Sequence, residues 1–347
     1  MAETIKIGIV GAGRNTRAKH LPGFRAIPGV EIMSVANRTR ASADRVARES
    51  GIPKVYDRWE DLVAADDTDA ILIGTWPNLH CPVTIAALKA GKHVLCEARM
   101  ALNVKEARRM LDASRRKPRL VVQVVPSPYT LHVDRTVQDL IGEGFVGKVL
   151  VMDLWAGSSD YADPDAPMTW RQDRAKSGLN VMSLGIWYEA LMRWVGEASR
   201  VLALGRVFVN RRHDAERGRV RQIEVPDHLQ VLADLASGGH LRIGMSAVTG
   251  LAPEPTAWIF GSEGTLRYDI GPGMLFGARR GEKEMRSMPV SPEKEGCWRV
   301  EEEFVNAIRG IEPVRLTTFE TGVKYMEFTE AVARSMKKGR AVKLPLH

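Results

Sequence analysis

Cysteine is scarce in this chain: Cys81, Cys96 and Cys297 are odd in number and form no C-x-x-C pair. Such a set argues against a disulfide framework and against a thiolate zinc site, so no metal is expected and a reducing cytoplasm is the expected compartment. No apolar run approaches the roughly 20 residues that span a bilayer, so no membrane partner is expected. A strand begins at Thr4, which leaves no room for a secretory leader with its charged, apolar and cleavage regions. Internal repeats and low-complexity tracts are absent as well. The basic residues fall in short groups, Arg115-Arg116-Lys117, Arg211-Arg212, Arg279-Arg280 and Lys337-Lys338, none interleaved with a run of aromatics. The net charge of +8 is therefore assigned to solvated loops, and no nucleic-acid partner is expected.

What is present is an ordinary globular composition, 44% hydrophobic and 27% charged, in a chain of 347 residues. That length exceeds what one core usually holds, so two domains are expected. Apolar runs at 4–10, 30–36, 70–75, 92–96 and 120–125 alternate with segments of helical spacing, the pattern of a parallel sheet wound on both faces. From about residue 148 the pattern changes to successive strands, at 148–155, 200–209, 219–224, 228–236, 239–248, 256–260 and 264–269, separated by turns such as Ser237-Gly-Gly239. Helices are predicted at 103–116, 130–142, 179–195, 298–309 and 319–337. The expected architecture is α/β: a Rossmann-like doubly wound domain over 1–125, and an α+β domain with a large, mostly antiparallel sheet over 126–347. Val125-Pro-Ser-Pro128 is the linker.

Gly11-Ala-Gly-Arg-Asn-Thr16 follows the first strand and opens a helix, so Gly11 and Gly13 can turn tightly and let the backbone approach a pyrophosphate. Arg14 and Asn15 belong to the same turn, in which Thr16 replaces the usual third small residue. Dinucleotide enzymes selective for NAD place an acid about 20 residues beyond the glycines, on the ribose 2′-hydroxyl. Here that position offers Asn37, with Arg38 and Arg40 nearby. A neutral amide tolerates a 2′-phosphate and a guanidinium pairs with it, so NAD(P) is the expected cofactor with a slight lean to NADP.

Gly91-Lys-His-Val-Leu-Cys-Glu-Ala-Arg-Met100 resembles the A-G-K-H-V-x-x-E-K-P strand and loop of the Gfo/Idh/MocA oxidoreductases, relatives of glucose-fructose oxidoreductase and inositol dehydrogenase. Gly74-Thr-Trp-Pro-Asn-Leu-His80 resembles the family's A-T-P-N-x-x-H segment. Thr169-Trp-Arg171 resembles its W-R pair, and Glu320–Lys324 through Gly339–Pro345 its last helix and tail. The resemblance implies cofactor contacts from Thr75, Trp76, Pro77, Asn78, His80 and Glu97, besides those of the glycine turn. It also implies a carbohydrate or cyclitol substrate and a homodimer or homotetramer joined through the sheet-rich half. The family's catalytic lysine falls on Ala98, followed by Arg99, and its helix pattern with an aspartate and a histidine falls on Ser183 and Trp187. Indole is only a donor and an unassisted serine is a weak base, so neither takes a hydroxyl proton near neutral pH.

Acid or base chemistry then has to come from elsewhere. The candidates are His132 just after the linker, Tyr188, and Arg99 as a cation able to polarise a substrate oxygen. His80, Glu189, His228, Tyr129 and Tyr161 are further titratable groups. Ser183, Trp187, Trp170, Arg171, Tyr161 and Lys176 are the expected substrate contacts, with Trp187 placed to stack on a sugar ring. Three functional classes remain open. One is an oxidoreductase moving hydride between NAD(P) and a sugar-like or cyclitol alcohol. The second is a redox-neutral, NAD-dependent glycoside hydrolase or lyase working by oxidation, elimination and re-reduction. The third is a dinucleotide- or sugar-binding protein without chemistry.

Overall fold

The computed structural model describes residues 4–158 and 160–347 and divides the chain into two units. One takes in the chain up to Pro126 and Arg299–Met326; the other is Ser127–Trp298 with Glu327–His347.

The first unit is built on a six-stranded sheet of β1 (Ile5–Val10), β2 (Val30–Ala36), β3 (Lys54–Val55), β4 (Ala70–Ile73), β5 (His93–Cys96) and β6 (Val122–Val124), in the order β3-β2-β1-β4-β5-β6. Every pairing is parallel. Parallel strands covered on both faces need no polar side, and β4, Ala-Ile-Leu-Ile, is buried at all four positions. Helices α1 (Leu21–Arg25), α2 (Arg40–Glu49), α3 (Trp59–Ala64), α4 (Pro77–Lys89) and α5 (Val104–Arg115) connect the strands. A π turn, Thr16–His20, precedes α1. The strand order reverses between β1 and β4, which opens a crevice at the carboxyl ends of those strands.

The second unit carries a nine-stranded sheet: β7 (Val149–Gly157), β8 (Ala198–Arg206), β11 (His228–Leu235), β12 (His240–Ser246), β13 (Thr256–Gly261), β14 (Gly264–Asp269), β15 (Met274–Arg279), β16 (Arg286–Ser287) and β17 (Val342–Lys343). Its order is β16-β15-β14-β13-β7-β12-β11-β8-β17, antiparallel throughout except for the β7–β12 pair. The ribbon β9 (Arg211–Asp214) and β10 (Arg219–Gln222) stands apart. Alternation sorts the large sheet into two faces. Val201, Ala203, Val231, Ile243, Leu154 and Ile259 are buried on one face. Leu202, Leu204, Leu232 and Phe260 are exposed on the other.

Several elements differ from the sequence pattern. The helix predicted over 130–142 starts only at α6 (Asp134–Gly142), because Thr130 O accepts from the backbone of Val133 and Asp134 and forms a turn first. The one predicted over 179–195 starts only at α8 (Leu184–Val195), and the short α7 (Arg174–Ser177), which ends at Gly178 with a φ of +63°, is additional to the sequence reading. Strand β15 is additional to the sequence reading. Residues 299–326 were grouped with the second half by pattern and count here with the first unit. There Val124 N donates to Thr317 O, and Met100 N donates to the Tyr325 hydroxyl. This returning segment contains α9 (Val300–Ile308) and the start of α10 (Phe319–Lys338).

Candidate functional site

At the switch point of the first unit lies a cavity of about 540 Å³, lined by the ends of β1, β2 and β4 and the loops that follow them. Three hydrogen bonds shape its floor. Gly11 N donates to Ala36 O, Gly74 N to Val10 O, both at 2.8 Å, and Ala12 N to Asn37 Oδ1 at 2.7 Å. Gly11 has a φ of +90°, a region that side-chain-bearing residues rarely enter. Gly74 approaches the Gly11 carbonyl and the Thr16 hydroxyl so closely that a Cβ there would collide with both. Thr16 is buried and its Oγ1 donates to Gly11 O at 3.1 Å, which accounts for a hydroxyl residue at the third small position.

The cavity brings together seven of the expected cofactor residues: Gly11, Gly13, Asn37, Arg38, Thr75, Trp76 and Asn78. Asn37 is tied at both ends, since its Nδ2 also donates to Ser42 Oγ at 3.1 Å. Arg38 lies over the Trp76 ring, 5.2 Å from its centroid. Arg40 is engaged elsewhere, with Asp44 at 2.8 Å and Asp57 at 3.2 Å. Asp57, Arg58, Trp59 and Glu60 complete the wall; sequence reading passed over them because they come from a different crossover, and no local motif marks them.

The other five expected cofactor residues do not line the cavity. Arg14 is exposed and Pro77 is buried at the first turn of α4. His80 is fully buried beneath the loop, its Nδ1 2.9 Å from Arg99 O and its Nε2 3.0 Å from Thr75 O. It shapes the loop from below, and burial holds its pKa under the ordinary imidazole value. Asn15 donates through Nδ2 to Glu97 Oε1, and Ala98 N donates to Glu97 Oε2 at 3.1 Å. Burial opposes the charge on Glu97, but hydrogen bonds from His20 and Asn15 outweigh it and hold the carboxyl below the usual range. His20 is a further residue that sequence reading missed, because its partners are remote in the chain. Arg99, expected to polarise a substrate oxygen, is 1% exposed and sits inside this unit.

In the second unit the expected substrate residues are dispersed. Ser183 is the N-cap of α8, and Trp187, one turn on, is 5% exposed. Trp187 stacks against Tyr129, with centroids 3.9 Å apart and planes 20° from parallel. The face expected to meet a sugar is therefore covered, and the half-buried Tyr129 ring takes the outer position. Arg171 stacks on Trp170 at 4.4 Å, and burial lowers its pKa, the Tyr129 phenol opposing this only in part. Lys176 pairs with Glu216 at 2.5 Å. Tyr161 is 74% exposed, with its ring against Gly250.

Two expected acid or base groups, Tyr188 and His132, are engaged with protein partners. Tyr188 is 2% exposed, stacks on Phe328 at 3.6 Å and accepts from Ala198 N at 2.8 Å, and burial pushes its phenol up. It faces the core because a helix sends neighbouring residues about 100° apart, so the residue after Trp187 leaves its face. His132 lies 3.2 Å from Glu295 with about two fifths of its side chain exposed. Glu189 is buried, receiving two bonds from Arg193 and one from Ser127 N.

The Gfo/Idh/MocA oxidoreductase family model, described as an NAD-binding Rossmann fold, matches residues 5–125, and the model of the family's C-terminal domain matches residues 135–267. Levoglucosan dehydrogenase of Pseudarthrobacter phenanthrenivorans is 26% identical over 333 residues, 85% of this chain and 83% of that protein. A glycosyl hydrolase family 109 protein of Saccharopolyspora erythraea is 31% identical over 157 residues, 43% of this chain and 34% of its own. Among solved structures, a levoglucosan dehydrogenase in complex with NADH and L-sorbose superposes with a TM-score of 0.87 at 23% identity, covering 99% of both chains. Its likeness extends over the whole fold. No helix among the described residues is long and apolar enough to cross a membrane.

Proposed function

The chain belongs to the Gfo/Idh/MocA oxidoreductase family, and we propose that it moves hydride between NAD(P) and a secondary alcohol of a sugar-like or cyclitol substrate. The observation that carries the reading is the cavity at the switch point, with the glycine turn, Asn37 and the Arg38–Trp76 pair on its wall. The residues fit the cofactor: the turn would admit a pyrophosphate, and Asn37 would meet the ribose 2′ position. Arg38 keeps the lean toward NADP, although Asp57 and Glu60 on the same wall oppose a 2′-phosphate. When bound, the dinucleotide supplies the hydride acceptor, and the protein supplies binding, orientation and proton handling.

Among the expected catalytic residues, Tyr188 and Arg99 are buried and His132 keeps Glu295 as partner. We assign the substrate contact to Tyr129, backed by Trp187. The Tyr129 ring offers the flat apolar face that sugars prefer, and its hydroxyl can hydrogen-bond a substrate oxygen. The open apolar sheet face with Leu202, Leu204 and Leu232 supports a homodimer or homotetramer. Three free cysteines, two of them buried, support a reducing cytoplasm.

A panel of sugars, cyclitols and glycosides with each cofactor tests this. Reduced cofactor accumulating at about 340 nm in proportion to product is the expected result. The glycosyl hydrolase relative favours a second reading, oxidation, elimination and re-reduction, in which a leaving group appears with no net absorbance change. Binding of cofactor with neither signal refutes both, and failure to retain any dinucleotide at millimolar concentration refutes the premise.

A further inference from the structure

Beside the cofactor cavity lies a buried ionic cluster with no place in the chemistry above. His20 closes the π turn with no solvent exposure. Its Nε2 is 3.0 Å from Glu97 Oε1, and its Nδ1 is hydrogen-bonded to Glu301 Oε1. Carboxylate oxygens only accept, so both nitrogens donate and the ring is an imidazolium. Burial works against that charge, but the bonds to Glu301 and Glu97 prevail and raise the pKa to about 9. Facing it are the carboxylates of Glu97 from the end of β5 and Glu301 from α9, and the neutral Asn15 amide at 3.5 Å.

Two further observations mark the cluster as built. Glu301 reaches His20 only because residue 23 lacks a side chain: a Cβ on Gly23 would lie 2.6 Å from its Oε2 and 2.7 Å from its Cδ. A π turn inserts one extra residue into the helical repeat, and such turns cluster at functional sites. Here the inserted residue shifts the register of the segment leading out of the glycine turn, and His20 at its end faces Glu97. Glu97 in turn gathers His20, the Asn15 side chain at the start of that turn, and the Ala98 backbone at the end of β5.

We propose that Glu301–His20–Glu97 is a buried ionic clamp fixing the end of β5 against the glycine turn, which makes His20 a positioning residue for the dinucleotide. The inference rests on the cavity being the dinucleotide site. His20 acts through Glu97 and Asn15, not by touching the ligand. Its loss loosens the glycine turn and the end of β5, which would hold the dinucleotide.

The test is NADH and NADPH affinity of the full chain, by calorimetry from pH 7 to 10, for the wild type, His20→Gln, Glu301→Gln and Gly23→Ala. Wild-type affinity is expected to hold to about pH 8 and then fall, as His20 loses its proton. His20→Gln is expected to bind on the order of tenfold more weakly at neutral pH, with that alkaline fall gone. Gly23→Ala removes no ionisable group and favours the helix on propensity alone. It should weaken binding similarly if Glu301 must pass that point, and it carries the test if His20→Gln does not fold. Folded variants that match wild-type affinity and pH profile overturn the clamp and leave the cofactor reading intact. A wild type that binds neither dinucleotide overturns the cofactor reading, and the clamp with it.

Discussion

Glu189→Ala is expected to be among the most damaging single changes in the second unit. The Glu189 carboxylate is 3% exposed and takes Arg193 Nη1 at 2.7 and 2.9 Å and Ser127 N at 2.8 Å. Arg193 also donates to Ser127 O at 3.1 Å and Thr130 Oγ1 at 2.9 Å, and its Nε lies 2.8 Å from Asp134. Removing one member of a buried ion pair commonly destabilises by about 3–5 kcal/mol. Asp134 still compensates the Arg193 charge, so the lower end, about 3 kcal/mol, applies here. For a unit of this size that is a fall in Tm of roughly 6–12 °C. Because Ser127 and Thr130 bracket Tyr129, tryptophan fluorescence should report a loosened Tyr129–Trp187 stack below the transition. Glu189→Gln keeps an acceptor for Ser127 N and should lose roughly half as much. Thermal melting followed by near-UV circular dichroism measures both variants. A Glu189→Ala protein melting within about 2 °C of wild type would refute the assigned weight of the network.

Four other outcomes are expected. His20 has its pKa raised in the folded protein, so its stabilisation is fully present below its ordinary value of 6.5 and is lost as pH rises through about 9. Urea midpoints of wild type and His20→Gln should therefore converge as pH rises from about 6.5 to about 9, and a gap that stays constant across that range contradicts the assignment. Gly74→Ala puts a Cβ against the Gly11 carbonyl and the Thr16 hydroxyl; dinucleotide affinity should drop at least about tenfold, and an unchanged affinity would show that the turn yields. Asn37→Asp keeps an acceptor for Ala12 N but adds a negative charge at the ribose position. NADPH should weaken against NADH by about tenfold or more, and equal loss of both points to a structural effect. Ala98→Lys alone should leave dehydrogenase turnover low, since Ser183 and Trp187 also differ from the family pattern; a gain above roughly a hundredfold from that one change defeats the idea of concerted replacement.

The first sheet was readable because its strands are covered on both faces, and runs such as Ala70–Ile73 stand out without alternation. Its glycine turn was readable because strand, turn and helix are contiguous. Side-chain roles that depend on distant residues were not. His20 meets Glu301 across 281 positions, and no periodicity signals that meeting. Trp187 has a helix position that predicts ligand stacking, but Tyr129, 58 residues earlier and outside any regular element, occupies its face. Residues 299–326 read as ordinary helix and turn, and their membership of the first unit follows from contacts such as Val124 N to Thr317 O, which are made in space and leave no mark on local composition.

That returning segment sets a timetable for synthesis. The first unit cannot acquire Glu301, Thr317 or Tyr325 until nearly the whole chain has been made. At about 5–20 residues per second, the ribosome finishes those residues on the order of ten to forty seconds after Pro126 is added. For that interval the nascent first unit lacks Glu301, the second carboxylate on His20. A fragment ending at residue 126 is accordingly expected to show no cooperative melt, and a sharp one would mean that the early residues fold without waiting for their C-terminal partners.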